Sequence, residues 1–410
     1  MAPRGAAARS TDRFERKREA ILDGATRILN RKGVKGLTLS DAASAVDLST
    51  TSVTYYFKRK DDLAAAVIAR GIEAYHDMAE SALDSPVPSE RLHALLTLYF
   101  ERVRQTVVEG AAPLPVISDM RALNEPRREE VAQAYGRLFR KVRQIFDAPE
   151  LAWMTRGRRT ARTRILLEQI FWAHNWLPKY DPEDYPRVRD RMHHILVHGF
   201  AGPGATWSPA PIPMEELAAR EGPELARETF LLAATRLINK RGYRGASVDK
   251  ISAELNVTKG SFYHHNDAKD DLVVACFERT FEVMRKAQRL AQELPGAQWD
   301  RLCACAAALA EFQLSDHGPL LRTSALTALP EKMRRVTVEH ANRVSDRFAS
   351  MISDGIAEGS ISPVDPFIAA QMLNATLNAC ADLGALVPDV RPKAAPAVFA
   401  KPMMMGLFER

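Results

Sequence analysis

Near the start of the chain, apolar residues recur at three- and four-residue spacing: Phe14, Ile21, Ala25, Ile28 and Leu29. This is the stripe of an amphipathic helix, and Gly33, just after Arg31 and Lys32, predicts a left-handed glycine stop. The pattern returns later with Leu225, Phe230, Ala233, Leu237 and Ile238 as the stripe, Pro223 in a first-turn position and Gly242 as the stop. A short second helix is predicted after each, carrying Leu39, Ala42, Ala43 and Val46, or Val248, Ile251, Ala253 and Leu255, with Thr38 or Ser247 as its N-cap. It breaks at Asp47 or Asn256, residue types that accept left-handed backbone, and Ser49 or Thr258 caps a third helix. Helix, three- to four-residue turn and helix make a helix-turn-helix, whose second helix enters the major groove of DNA.

The two stretches are copies. Residues 25–63 and 234–272 align without a gap at a constant offset of 209, and 11 of the 39 pairs are identical, among them Arg27/Arg236, Asn30/Asn239, Gly33/Gly242, Ser52/Ser261 and Lys60/Lys269. Identity over this length points to a duplicated fold unit. About 135 to 140 residues with helical spacing and few strand signals follow each copy, which predicts an all-α chain. In the first region the last helices fall at about Arg162 to Leu177 and Arg187 to Phe200; in the second, at Pro366 to Val387 and Pro396 to Phe408. Between the regions, Gly202 to Met214 holds Pro203, Pro209, Pro211 and Pro213 and reads as an extended, semi-rigid linker. With the stretch to Pro223, roughly 20 residues at about 3.3 Å each reach on the order of 65 Å, enough for one chain to fold back on itself as a pseudo-dimer.

The length of 410 residues fits two to four domains. The net charge is only +6, but residues 1–60 hold 13 Lys/Arg against 6 Asp/Glu, a surplus that points to a polyanionic partner. Cys276, Cys303, Cys305 and Cys380 lack paired ligand spacing and read as buried thiols, so no metal or cofactor is expected. Adjacent His264 and His265 point about 100° apart on a helix, and His194/His198 are weighed as packing. No apolar run approaches the roughly 20 residues of a membrane span, and the start lacks an apolar signal core, so a cytoplasmic protein is expected. An enzyme is disfavoured: Gly-x-Ser-x-Gly elbows, phosphate-cradling glycine loops and metal-ligand constellations are all missing.

Thr258-Lys259-Gly260-Ser261-Phe262-Tyr263-His264-His265 followed by Lys269-Asp270-Asp271-Leu272 resembles the DNA-binding signature of tetracycline-repressor-type (TetR/AcrR) regulators. Ser49-Thr50-Thr51-Ser52-Val53-Thr54-Tyr55-Tyr56-Phe57 with Lys60-Asp61-Asp62-Leu63 is similar, with Thr54 where the family usually has tyrosine; the second copy has Asn266 at a core plug position. The resemblance implies a bacterial transcriptional regulator, most simply a repressor, built as two tandem units. Residues 1–62 and 223–271 would be the helix-turn-helix domains, 63–204 and 272–410 helical effector and dimerisation domains, and 205–222 the linker. It places Thr50, Thr51 and Thr54, with Lys259, Gly260 and Tyr263, at base edges. Ser52, Tyr55, Tyr56 and Lys60, with Ser261, His264, His265 and Lys269, fall at phosphates, and Thr38 and Ser247 stand at the same interface. The partners implied are double-stranded DNA and a small hydrophobic or aromatic effector, with a homodimer as a further assembly. Trp153, Trp172, His174, Trp176 and Met372 are the candidate ligand residues. The alternative is a protein-interaction scaffold in which one or both DNA-binding modules are degenerate.

Overall fold

The computed structural model describes residues 4–218, 223–245, 250, 252–253, 269–381, 387 and 390–410. Among these every regular element is helical, and the nearest approach to a sheet is a single antiparallel bridge between Ala201 and Ile361. The first unit comprises α1 (Arg4–Gly36), α2 (Leu39–Ser44), α3 (Thr50–Tyr56), α4 (Lys60–Ser81), α5 (Pro88–Val108), α6 (Arg127–Arg143), α7 (Arg156–Trp176) and α8 (Tyr185–His198). A short α9 (Met214–Ala218) precedes α10 (Pro223–Gly245), α11 (Lys269–Glu293), α12 (Gln298–Phe312), α13 (Glu331–Ala357), α14 (Pro366–Cys380) and α15 (Lys401–Met405), the last entered through a π-helical turn at Pro396–Ala400.

Local chemistry sets the element ends. Helices α1 and α10 break at Gly33 (φ 65°) and Gly242 (φ 67°), a conformation that favours glycine because a Cβ would crowd the backbone. Thr38 Oγ1 accepts from Asp41 N at 3.0 Å to start α2, and Ser49 Oγ accepts from Ser52 N at 3.2 Å to start α3. Between them Asp47 takes φ 54° and turns the chain. The corresponding positions Ser247, Asn256 and Thr258 lie outside the described residues.

The units pack as one body through the helices at the ends of their two halves. Helix α7 lies against α14, with α8 and α15 completing the seam. Residues 160–170 of α7 are buried without interruption, and α14 buries Ile368, Met372, Leu373 and Leu377 among small residues. Polar groups fix the register. Gln169 Nε2 donates to the Met372 carbonyl and to Thr376 Oγ1, both at 3.0 Å. Trp172 Nε1 donates to Gln371 Oε1 at 3.0 Å, and Arg162 donates to the carbonyls of Leu407 (2.6 Å) and Glu409 (2.9 Å).

The linker docks rather than spanning free. Ser362 N donates to the Phe200 carbonyl, Gly202 N to that of Ser360, and Trp299 Nε1 to that of Thr206, while Leu217 of α9 is fully buried. The heads also reach across: α1 touches the 3-10 turn Thr323–Ala328 of the second unit, and α10 touches the turn Ile117–Ala122 of the first. Lys35 Nζ meets Tyr243 OH at 3.3 Å between them.

At the seam, Gly199 (φ 67°) has the Met404 backbone carbonyl where a Cβ would stand, whereas Gly204 (φ 76°) has open space there. Gly199→Ala should cost on the order of 3 kcal/mol, through both backbone strain and collision, and Gly204→Ala about 1 to 2 kcal/mol through strain alone. Chemical denaturation of the two variants checks this; equal losses would mean the seam yields at no cost.

Candidate nucleic-acid interface and inter-unit cavity

On the first head, Thr50 and Thr51 are exposed at the start of α3, and Thr54, half-buried, bonds through Oγ1 to the Thr51 carbonyl at 2.8 Å. Ser52 Oγ shares a hydrogen with Ser49 Oγ at 2.9 Å, and Val53 behind them is fully buried with Leu63. Tyr55 stands 75% exposed. Its ring and that of Tyr56 pack on Phe14 of α1, with centroids 6.0 and 4.6 Å away, so α1 holds both tyrosines. Lys60 is half-buried at the start of α4, Thr38 is exposed beside α2, and Arg13, Arg16, Lys17, Lys58 and Arg59 are exposed on the same head. Exposed hydroxyls beside ammonium and guanidinium groups are the donor set that meets phosphate oxygens, and threonine methyls can meet thymine.

On the second head, Ser247, Lys259, Gly260, Ser261, Tyr263, His264, His265 and Asn266 lie outside the described residues. Lys269 is described, and its Nζ sits 4.2 Å from the centroid of the Tyr243 ring, whose hydroxyl bonds Asp270.

The identical pairs of the repeat do mechanical work between head and body. Asn30 Nδ2 donates to the Leu114 carbonyl at 2.8 Å while its Oδ1 accepts from Val116 N at 2.9 Å. Asn239 repeats this with the Leu320 carbonyl (2.9 Å) and Arg322 N (3.1 Å). Arg27 donates to the Gly110 carbonyl and Arg236 to that of Gly318, both at 3.0 Å. Arg70 binds Glu19 (2.8 Å), and Arg279, at the same offset of 209, binds Glu228 (2.7 Å). Sequence reasoning missed this last pair, although extending the alignment to residues 19–70 exposes it. Each helix α1 or α10 is thereby fastened to the loop that follows the second long helix of its own body.

Those loops meet at a cavity of about 420 Å³ between the units. The first unit supplies Val116, Met120, Tyr135, Phe139, Phe171 and Trp172; the second supplies Arg322, Thr323, Ser324, Arg334, Val338 and Asn378. Asn30 itself reaches the wall. Of the expected ligand residues, the structure brings Trp172 and His174 to this cavity. His174 Nδ1 bonds the Phe171 carbonyl, and enclosure by protein holds its pKa below the ordinary imidazole value despite that bond. Trp153, Trp176 and Met372 are not on the wall. Trp153 lies beneath the Arg158 and Arg162 guanidiniums, Trp176 packs on Tyr180 and Phe367, and Met372 is fully buried in α14. The wall arginines were not singled out from sequence, although Arg164 and Glu168 stand at i, i+4 on α7, where they pair at 2.6 Å.

The four cysteines are buried free thiols, and burial raises the Cys276 thiol to about 12. His194 and His198 pack with ring centroids 4.9 Å apart and planes tilted by 48°. Among the described residues, His76, Asp77 and Glu80 could bring ligand atoms together for a metal, on an exposed face where Lys141 already binds Glu80 at 3.0 Å. No helix of the described residues is long and apolar enough to cross a membrane.

The described residues form a helical body with a helix-turn-helix on the first head, and α1 and α10 are each fastened to a loop beside a shared cavity. The profile of bacterial regulatory proteins of the tetR family matches residues 21–67 and again 230–276, and the tetracyclin repressor-like C-terminal domain matches 295–382. The chain belongs to the tetR family, with its head domain present twice. It is 38% identical over 52 residues to the transposon Tn10 TetC protein of Escherichia coli, covering 13% of this chain and 26% of that protein. It is 28% identical over 113 residues to the HTH-type transcriptional regulator BetI of Rhizobium meliloti, covering 27% and 56%. The chain thus spans between a quarter and a little over half the length of these two relatives. Among solved structures, PfmR of Thermus thermophilus aligns at 17% identity and TM-score 0.36 over 43% of this chain and 95% of its own. FadR of Bacillus subtilis, in complex with stearoyl-CoA, aligns at 17% and 0.36 over 44% and 98%.

Asn30→Ala or Asn239→Ala removes one carbonyl bond and leaves a loop N–H without its acceptor, which should cost about 1 to 3 kcal/mol each. Equilibrium denaturation measures the loss; a change within about 0.5 kcal/mol, that of an ordinary surface substitution, would show the fastening to be idle.

Proposed function

We propose that this chain is a cytoplasmic, sequence-specific transcriptional regulator that acts as a repressor and behaves as a pseudo-dimer, each tandem unit contributing one head to a single DNA site. The observation that carries the reading is the matched pair of fastenings at Asn30 and Asn239, because they tie both heads to loops around one cavity. A regulator needs such a path: a ligand shifts an equilibrium only by its differential affinity for two states, and here it would touch the parts that set head position. Thr50, Thr51 and Thr54 would face bases in one half-site and Lys259, Gly260 and Tyr263 in the other. Ser52, Tyr55, Tyr56 and Lys60, with Ser261, His264, His265 and Lys269, would hold phosphates, supported by Thr38 and Ser247. The effector would be a small molecule with an apolar or aromatic part, and its binding would favour a head spacing that misfits the operator.

The base-facing residues differ between the heads in donors and in size, so one chain should read a non-palindromic site whose halves lie about one helical turn or slightly more apart. Binding to a duplex from the chain's own upstream region should weaken steeply with salt, because the basic head displaces phosphate counterions. Thr50→Ala and Lys259→Ala should each lower affinity and thin the footprint on opposite halves, with Lys259→Ala also flattening the salt slope. Footprinting of both variants across a salt series tests the reading. Loss on the same half would leave a homodimer using one head per chain, and no binding at low salt would favour a scaffold with degenerate heads.

A further inference from the structure

A space of about 140 Å³ lies inside the first unit between α4, α5, the loop 113–117 and α7, with Tyr75, Tyr99, Leu114 and His174 on its wall. The second unit has a counterpart lined by Met284 and Leu320: the offset of 209 carries Tyr75 to Met284, and the paired fastenings at Asn30 and Asn239 match Leu114 with Leu320. That counterpart holds only about 60 Å³. A thioether stands there in place of a phenol, so the two units are not equivalent as binding sites.

The first unit's space is bordered by polar groups that the protein leaves unpaired. Tyr75 and Tyr99 are 6% and 1% exposed, and among the described residues their hydroxyls bond no protein group. A buried hydroxyl ordinarily has a partner; these two belong to rings 6.3 Å apart on the wall of the space. His174 Nδ1 faces the Phe171 carbonyl, which only accepts, so that nitrogen carries the hydrogen. Enclosure keeps the ring neutral, which leaves Nε2 an acceptor, and it too has no partner among the described residues.

Charge is excluded from the same place. No Asp, Glu, Lys or Arg lines the inner space, and an unpaired charge buried there would be costly. It adjoins the inter-unit cavity of about 420 Å³, with which it shares Asn30, Val116, Phe171 and His174. In that cavity the protein already engages the charged side chains: Glu168 holds Arg164 at 2.6 Å, the Ala381 carbonyl holds Arg322 at 3.1 Å, the Arg31 carbonyl holds Arg334 at 2.9 Å, and Arg121 has contacts of its own. A ligand hydroxyl suits the inner groups, since it donates to Nε2 and accepts from a tyrosine, whereas a carboxylate brings an unpaired charge and an ether brings no donor. Phe171 stands edge to face with Tyr75 at 5.3 Å and borders both spaces, so an aromatic ring finds matching partners on either side of it. Together the two spaces fall in the size range of small-molecule sites, roughly 300 to 1,000 Å³.

We propose that the first unit binds one uncharged, hydroxyl-bearing aromatic compound per chain, its hydroxyl among Tyr75, Tyr99 and His174 and its ring system extending past Phe171 into the inter-unit cavity. Asn30 is on the wall of both spaces, so the compound meets the residue that fastens α1. That this is the effector site rests on the regulator reading above; the binding does not.

The test uses the full-length chain without DNA and two uncharged probes of one shape, 2-naphthol and 2-methylnaphthalene. A merely apolar cavity favours the methyl compound, whose transfer out of water is the more favourable. Here 2-naphthol is expected to occupy one site per chain and to bind at least about threefold more tightly, the scale of one hydrogen bond. Tyr75→Phe and His174→Phe should each weaken 2-naphthol about three- to tenfold and leave 2-methylnaphthalene unchanged. Circular dichroism of each variant, matching the parent, shows that it is folded. Equal or tighter binding of 2-methylnaphthalene, two equivalent sites per chain, or indifference of 2-naphthol to both substitutions would overturn the proposal. A gel shift run separately keeps the two readings apart. Hydroxyl-selective binding at one site without any DNA shift supports the site and refutes the regulator, and a DNA shift without that selectivity refutes the site and leaves the regulator standing.

Discussion

Helices α7 and α14 are buried along most of their length, α7 with its polar Arg162, Arg164, Glu168 and Gln169 included, and the rest of the molecule is arranged around that constraint. With residues 160–170 of α7 and most of α14 buried, each helix must be enclosed by its own unit on one side and by the other unit on the opposite side. An apolar contact alone could slide by a turn. The Gln169 amide bonded to Met372 and Thr376, and the Trp172 indole bonded to Gln371, remove that freedom, since a shifted register would strand buried polar groups at a cost of about 1 to 3 kcal/mol each. The relation between the two halves is therefore set by satisfied hydrogen bonds within an apolar seam, and each head inherits its position from that seam through its own body.

The repeat divides by role. Gly33/Gly242 supply the left-handed stops, and Arg27/Arg236 and Asn30/Asn239 bind loop carbonyls in both units. The residues that the repeat aligns with Thr50, Thr51 and Thr54 are Lys259, Gly260 and Tyr263, all different. Under the proposed regulator reading, two units that share their fastening but differ at these positions would read different bases.

Much of the first head could be read from the chain because its determinants are local. A glycine after two basic residues stops a helix, Thr38 and Ser49 accept from the amides three residues on, and Asp47 turns left-handed; each involves only a few neighbouring residues. The ligand wall could not be read this way. Trp153, Trp172 and Trp176 share one aromatic stretch, yet Trp172 reaches the cavity while Trp176 meets Phe367 and Trp153 meets two arginines. What separates Trp172 from Trp176 is which residue nearly 200 positions away each one meets, Gln371 or Phe367, and no local spacing encodes that. Arg322 and Arg334 were invisible for the same reason, because a single arginine near a helix start reads as solvated until the other unit closes over it. The linker differs in kind: Pro203, Pro209, Pro211 and Pro213 mark it in the sequence, but nothing local shows that Ser360, Ser362 and Trp299 of the second unit hold its backbone.

Fusion of two units into one chain removes a restriction that symmetry imposes. In a dimer of identical chains a cavity on the axis must show the same residues from both sides, so a polar-ended ligand seated there meets at one end a wall suited to the other. Here the two sides carry different sequences: Tyr135, Phe139, Phe171 and Trp172 line the first unit's side of a cavity of about 420 Å³, Thr323, Ser324 and Asn378 line the second's, and arginines stand on both. Each wall continues into a different head: Asn30 and Val116 lead to α1 of the first, and Arg322 leads through Asn239 to α10 of the second. Arg334 crosses over, reaching from the second unit to the Arg31 carbonyl of the first head. Under the proposed regulator reading, one asymmetric ligand would act differently on the two heads, which two unlike half-sites could use and two identical ones could not.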